Sequence, residues 1–157
     1  MTGRGGGITD GAFVKKKAVI RQALDLNRPD PNDPVDVIAK VGAFDICAMC
    51  GAFLGAASSH RPVVIDGFIS AVAALCAFQL NPTVAGYLIP SHASYEIGYK
   101  LAMDAMGLAP IFLLGMRLGE GSGCPLAFEI VDAACAVLCD MATFDQAAAE
   151  GSITSQP

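Results

Sequence analysis

Glu120 stands between glycines in the stretch Gly115-Met-Arg-Leu-Gly-Glu-Gly-Ser-Gly123, directly after the apolar run Ile111-Phe112-Leu113-Leu114. Such a run reads as a strand that delivers one acid to the carboxyl edge of a sheet, where α/β proteins keep their chemistry. Gly119, Gly121 and Gly123 have no side chains, so a ligand can approach the carboxylate and the bare backbone N–H groups beside it. Taken alone, the loop is equally readable as a surface turn with a solvated acid. Two further junctions have the same form. Asp66-Gly67-Phe68 follows Val63-Val64-Ile65, and Ser91-His92-Ala93-Ser94 follows Tyr87-Leu88-Ile89. Adjacent parallel strands set such loops on one edge, where they can line a single pocket. The plainer alternatives are that Asp66 and Ser94 are helix N-caps, worth about 1 kcal/mol each, and that His92 is a hydrogen-bonded structural residue.

A fourth candidate opens the chain. Gly3-Arg4-Gly5-Gly6-Gly7 leads through Ile8-Thr9-Asp10 into a helix, and a glycine-rich turn before a helix can cradle phosphate with its amides. Lys16 can add the point charge. Only one of Lys15, Lys16 and Lys17 can point inward from a helix. No strand precedes this turn, so a flexible terminus and a solvated lysine face remain open readings.

The elements that must position these groups alternate. Helical spacing covers Gly11 to Leu26, with Phe13, Val14, Ala18, Val19 and Ala23 or Leu24 on one side. The breaker-rich segment Asn27 to Pro34 ends it, and Pro34 suits the first turn of a short helix to Val41. Phe44 to Ala57 is a helix in which Gly51 and Gly55 permit close packing. Then come a strand at Val63-Val64-Ile65, a helix from Gly67 to Leu80, a strand from Tyr87 to Ile89 and a helix from Tyr95 to Met106. A third strand is expected at Ile111 to Leu114 and a last helix from Pro125 to Met141, with a frayed tail over 147–157. Strand, polar loop and helix in repetition is the signature of a parallel sheet with crossover helices, an α/β fold.

Composition excludes several classes. The formal charge of -5, with no basic cluster beyond the three lysines, argues against nucleic-acid binding. Asp45 and Asp66 interrupt the two longest apolar runs, which leaves neither suited to a membrane span. The first residues contain no apolar core of a signal peptide, and the cytoplasm is the expected compartment. Six cysteines, at 47, 50, 76, 124, 135 and 139, lie mostly in helix-like apolar stretches without a redox loop or a histidine at ligand spacing. They are expected to pack as small hydrophobes rather than to bind metal. With 54% hydrophobic residues and a helix at Phe44 to Ala57 that is apolar almost all round, some surface is expected to be covered by another chain.

Together the motifs carry a resemblance. Gly3-Arg-Gly-x-Gly-Ile-x-Asp10, Lys16 before Ala18-Val19-Ile20, Ala39-Lys-Val-Gly42, Val63-Val-Ile-Asp-Gly-Phe-Ile-Ser70, Ser91-His-x-Ser-x-Glu96 and Arg117-Leu-Gly-Glu-Gly-Ser-Gly123 run in the order and spacing of one family. The chain resembles the carboxyl-terminal half of nicotinate-nucleotide:dimethylbenzimidazole phosphoribosyltransferase, which works in cobalamin lower-ligand assembly. The resemblance implies transfer of 5-phosphoribosyl from nicotinate mononucleotide to 5,6-dimethylbenzimidazole, giving α-ribazole 5′-phosphate and nicotinate. It implies a Rossmann-like parallel sheet, a dimer, and no cofactor or metal. The family's catalytic base falls on Glu120, its phosphate-binding lysine on Lys16, and a serine near that phosphate on Ser94. Gly3, Gly5, Gly7, Asp66, Gly67, Ser91, Leu118, Gly119 and Gly121 fall on substrate-binding loops. A base of this kind is expected in a confined apolar site. Gly6 stands where the family has threonine, which removes a hydroxyl from the loop. Residues 1–146 are expected to form the carboxyl-terminal part of the transferase domain, active only with an amino-terminal half or a dimer mate. The alternative is a non-catalytic nucleotide-binding or assembly module.

Overall fold

A computed structural model of the chain describes residues 2–149. Its first two helices begin where the sequence supplies side-chain caps. Helix α1 (Asp10–Asn27) starts at Thr9, whose hydroxyl accepts the Ala12 N–H, and ends at Arg28 in the left-handed conformation. Helix α2 (Pro34–Val41) is capped by the Asp33 carboxylate, which accepts the N–H groups of Val35 at 2.9 Å and Asp36 at 3.2 Å. Helix α3 (Phe44–Ser58), strand β1 (Val63–Ile65), helix α4 (Phe68–Leu80), a 3-10 helix (Pro82–Tyr87) and strand β2 (Leu88–Pro90) follow. Helices α5 (Ile97–Met106), α6 (Cys124–Asp140) and α7 (Phe144–Ala149) complete the described chain.

The core lies where α4 packs against α3 and α5 beneath the two strands. Alanines 71, 73, 74 and 77 of α4 are fully or nearly fully buried and let its neighbours approach closely. Gly98 of α5 leaves the space that the Phe68 ring of α4 fills. Ile65 and Val84 are buried completely, and each such side chain contributes on the order of 1.5–3 kcal/mol. Strands β1 and β2 are parallel, with Ile65 opposite Pro90, and α4 with the 3-10 helix forms the crossover between them. The chain is therefore mixed α/β with a small parallel sheet.

The third expected strand does not form. Phe112 makes one parallel bridge with His92: its N–H donates to Ser91 O at 2.9 Å, and its carbonyl accepts the Ala93 N–H at 2.9 Å. Leu113 and Leu114 then turn outward, 83% and 60% exposed, because nothing covers them on the far side. The apolar run promised burial that the described residues do not supply. The 3-10 helix and α7 are elements that the sequence reading lacks. Asn81 caps the first through the Thr83 N–H. Thr143 and Gln146 exchange side-chain to backbone hydrogen bonds at the start of the second, a capping box. Of the tail expected over 147–157, Ala147–Ala149 close α7, and residues 150–157 lie outside the described residues.

The cysteine expectation needs correction. Cys50 and Cys76 are buried, and burial pushes both thiols up from their ordinary pKa, but Cys47, Cys135 and Cys139 are exposed. Helix α6 buries only Ala127, so Cys135 and Cys139 face outward with Phe128, Val137 and Leu138, while Cys124 at its first residue is half-buried and burial pushes its thiol up as well. Helix α1 likewise buries no residue. No described helix is long and apolar enough to cross a membrane.

Candidate functional site

Strand β1 ends at Ile65, and the backbone delivers Asp66 to its carboxyl edge, 8% exposed. The carboxylate does not cap α4, whose N-cap residue is Gly67 and which has no side-chain cap. It accepts instead the N–H of Gly121 on Oδ2 at 3.1 Å and the N–H of Gly123 on Oδ1 at 2.8 Å. The Glu120 loop is thereby tied to the sheet. Two of the amides that the sequence left bare for a ligand are taken by Asp66.

Strand β2 delivers Ser91 and His92 to the same edge, 0% and 1% exposed. The Ser91 hydroxyl donates to Ile65 O at 2.8 Å and lies 3.1 Å from His92 Nδ1, which stands 3.8 Å from Asp66 Oδ1. Ser91 and His92 thus brace the edge from inside, the structural reading for His92. Gly123 completes the group: a Cβ there would lie 2.5 Å from Ser91 Oγ and 3.0 Å from Asp66 Oδ1, and would collide with His92 Nδ1.

Glu120 itself is held in an uncommon conformation. Gly119, Glu120 and Gly121 have φ of 78°, 56° and 73°, three left-handed residues in succession. Ser122 N–H closes a turn onto Gly119 O, and Cys124 N–H one onto Gly121 O, both at 3.0 Å. The carboxylate projects from the sheet edge with Leu118, and both residues are exposed. The confined apolar site expected around the acid is not formed by the described residues. Upstream, the Arg117 guanidinium lies 5.2 Å from the Tyr95 ring centre and joins the loop to the segment before α5.

The amino-terminal loop meets that segment from the other side. Lys16 is the half-buried member of the lysine triplet, and its Nζ donates to Gly3 O at 2.9 Å. Lys15 and Lys17 are exposed, and Lys17 lies over the Phe13 ring. Gly5 adopts φ 65°, and a Cβ there would come within 3.7 Å of Lys16 Nζ; Gly7, at φ 81°, has open space around it. Gly3 abuts the Glu96 carboxylate, and the Glu96 N–H donates to Ser94 Oγ at 3.4 Å. Ser94 therefore caps a turn before α5 rather than the helix itself, whose N-cap residue is Glu96. Ser94 Oγ also lies 4.0 Å from the Cβ position of Gly67. Lys16, Gly3, Glu96, Ser94 and Gly67 are consequently one continuous seam, and Asp66 joins it to the Glu120 loop.

Sequence reading gave no role to Glu96 or Tyr99, and to Gly123 only that of leaving a ligand room. Tyr99 is 2% exposed and its hydroxyl has no hydrogen-bond partner among the described residues. Burial, and then the negative charge of Asp66, push its pKa up to about 12. The fold therefore favours neutral Tyr99, and the stabilisation holds below the ordinary value of 10.0 and is lost as pH rises from there toward about 12. Alkaline titration followed by circular dichroism is expected to show unfolding in that window, and Tyr99→Phe is expected to reduce the loss. An unchanged alkaline limb in Tyr99→Phe would exclude this tyrosine as its source.

Comparison with known proteins identifies the family. The phosphoribosyltransferase family DBI_PRT matches residues 1–149. The nicotinate-nucleotide--dimethylbenzimidazole phosphoribosyltransferase of Ruminiclostridium cellulolyticum is 52% identical over 150 residues, which are 96% of this chain and 43% of the relative. The protein of the same name from Roseiflexus sp. is 52% identical over 153 residues, 98% of this chain and 43% of its own length. Among solved structures, CobT from Thermus thermophilus superposes with a TM-score of 0.86 at 32% identity, over 98% of this chain and 44% of that one. The chain thus spans less than half the length of the curated relatives it matches.

Proposed function

This chain belongs to the phosphoribosyltransferase family DBI_PRT, and we propose that it contributes the phosphate-binding seam and the catalytic base to transfer of 5-phosphoribosyl from nicotinate mononucleotide to 5,6-dimethylbenzimidazole. The observation that carries this reading is the continuity of the seam: Lys16, Gly3, Ser94 and Gly67 lead through Asp66 to the Glu120 loop. A nucleotide needs just such a run, with its phosphate at one end and its anomeric carbon at the other. Lys16 Nζ, now donating to a carbonyl, supplies the cation for the phosphate, and Ser94 a hydroxyl beside it. Binding energy from the phosphate then holds the sugar for reaction. The benzimidazole nitrogen attacks the anomeric carbon as the bond to nicotinate breaks, with inversion, and Glu120 takes the ring N–H proton. Nicotinate leaves with the bonding electrons, which neutralise its ring nitrogen. No cofactor or metal enters the step.

In this reading β1 and β2 are part of a Rossmann-like parallel sheet, and the walls of the base pocket come from a dimer mate or from the part of the family fold that the relatives possess beyond the matched region. The exposed apolar residues of α1 and α6, Val14, Val19, Phe128 and Leu138 among them, are where such a neighbour would sit. We assign the reaction to the cytoplasm. The exposure of Glu120 and Leu118 favours one second reading, a nucleotide-binding or assembly module without turnover of its own.

Lys16→Ala tests the phosphate end. It is expected to weaken binding of nicotinate mononucleotide roughly tenfold or more, through loss of a charge-assisted hydrogen bond, and to flatten the salt dependence of binding. Lys15→Ala and Lys17→Ala are expected to stay within about twofold, since both side chains are solvated. Calorimetric titration at two salt concentrations separates the cases. A larger effect at Lys15 or Lys17 than at Lys16 would overturn the assignment.

A further inference from the structure

Asp66 is a buried carboxylate that pairs with no lysine or arginine among the described residues. A buried anion needs compensating donors, and here the Gly121 and Gly123 amides supply them. These amides flank Glu120 at the first and third residues after it. Glu120 is a non-glycine residue at φ 56°, between two glycines that are also left-handed. Such a conformation persists only where the surroundings determine it, and Glu120 has little of its own to hold it there, being exposed. The two turn bonds, onto Gly119 O and Gly121 O, are internal to the loop and fix its shape but not its place. What fixes the place is Asp66, joined to β1 and fitted against Ser91 and His92 without room even for a methyl group at Gly123.

We infer that Asp66 is the positioning residue of the Glu120 loop: its carboxylate, by accepting the Gly121 and Gly123 N–H groups together, aims the Glu120 carboxylate at the reacting centre. Burial of the Asp66 charge and ordering of the loop are one event. An asparagine has the same size but only one acceptor oxygen; its NH2 group would face the second amide donor to donor. Asp66→Asn therefore keeps one bond, breaks the other and turns it into a repulsion. This role rests on the reading of Glu120 as the base, but the clamp itself can be measured without any turnover.

The experiment has two arms. In the unmodified 157-residue chain, nuclear magnetic resonance is expected to detect through-hydrogen-bond coupling from the Gly123 and Gly121 amide nitrogens to the Asp66 carboxylate carbon, and no such coupling at either amide would overturn the inference whether or not any variant folds. In Asp66→Asn, exchange of those two amides is expected to speed up at least tenfold while the amides of α4 keep their protection. Equal exchange in the variant would overturn it too. In the turnover arm, with the remainder of the family fold supplied, Asp66→Asn is expected to lower kcat tenfold or more while KM for nicotinate mononucleotide stays within twofold. A loosened loop with unchanged kcat would deny Asp66 a positioning role, provided Glu120→Gln is impaired. Wild-type turnover in Glu120→Gln would instead sink the reading of Glu120 as base.

Discussion

Glu120→Gln is expected to lower turnover by about two to four powers of ten while leaving affinity for nicotinate mononucleotide within about twofold. Glutamine matches glutamate in size and keeps an acceptor, so the left-handed backbone from Gly119 to Gly121 and the Asp66 bonds have no reason to change. What disappears is the basicity that, in the proposed function, accepts the benzimidazole proton. In the proposed function the nucleotide is held at the other end of the seam by Lys16 and Ser94, which do not touch Glu120. A loss confined to kcat is the signature of a group that acts in the chemical step. Steady-state kinetics with each substrate in turn decides it, and near-normal turnover would remove Glu120 from the role of base.

Gly123→Ala is expected to be the most destabilising single methyl group in the site. The new Cβ would meet Ser91 Oγ at 2.5 Å and Asp66 Oδ1 at 3.0 Å, and would collide with the His92 ring. None of the three can withdraw. Ser91 is bonded to Ile65 O, His92 is buried at 1% exposure, and Asp66 holds the loop. Overpacking of this kind and loss of the charged Gly123 bond together cost about 2–4 kcal/mol. Thermal unfolding is expected to fall by roughly 5–15 °C for a chain of this size. Gly121→Ala is the control, with a left-handed φ of 73° but nothing within 4 Å of its Cβ position; backbone strain alone costs about 1 kcal/mol there. If Gly121→Ala were the worse of the two, the close approach at Gly123 would not be what holds the loop.

The helices were legible because their signals are local. Asp33-Pro34 opens α2, and Gly107 ends α5 in the left-handed conformation that glycine allows. The parallel pair Val63–Ile65 with Leu88–Pro90 was legible from apolar runs bounded by polar junctions. The edge strand was overread because Ile111 to Leu114 has strand composition, whereas pairing depends on a neighbour that composition cannot reveal. In the site, the candidate loops were visible one by one and their convergence followed from topology. The contacts of Asp66 were hidden: a sequence offers the Asp its neighbours two or three residues on, so it reads as a cap, while its actual partners lie 55 and 57 residues away. Gly123 was hidden likewise, since nothing distinguishes it in sequence from Gly119 or Gly121. Glu96 and Tyr99 matter through contacts that only the folded chain creates. The capping box at Thr143 and Gln146 marks α7, a local signal that the sequence reading missed.

Product formation tests the central claim most directly. The chain is incubated with nicotinate mononucleotide and 5,6-dimethylbenzimidazole, alone and with the remainder of the family fold added as a separate polypeptide, and α-ribazole 5′-phosphate is measured by mass and by its anomeric configuration. The account predicts α-configured product when the partner polypeptide is present, little or none without it, and its loss in Glu120→Gln. Nucleotide binding without product in either mixture would contradict the catalytic reading and leave the chain a nucleotide-binding module.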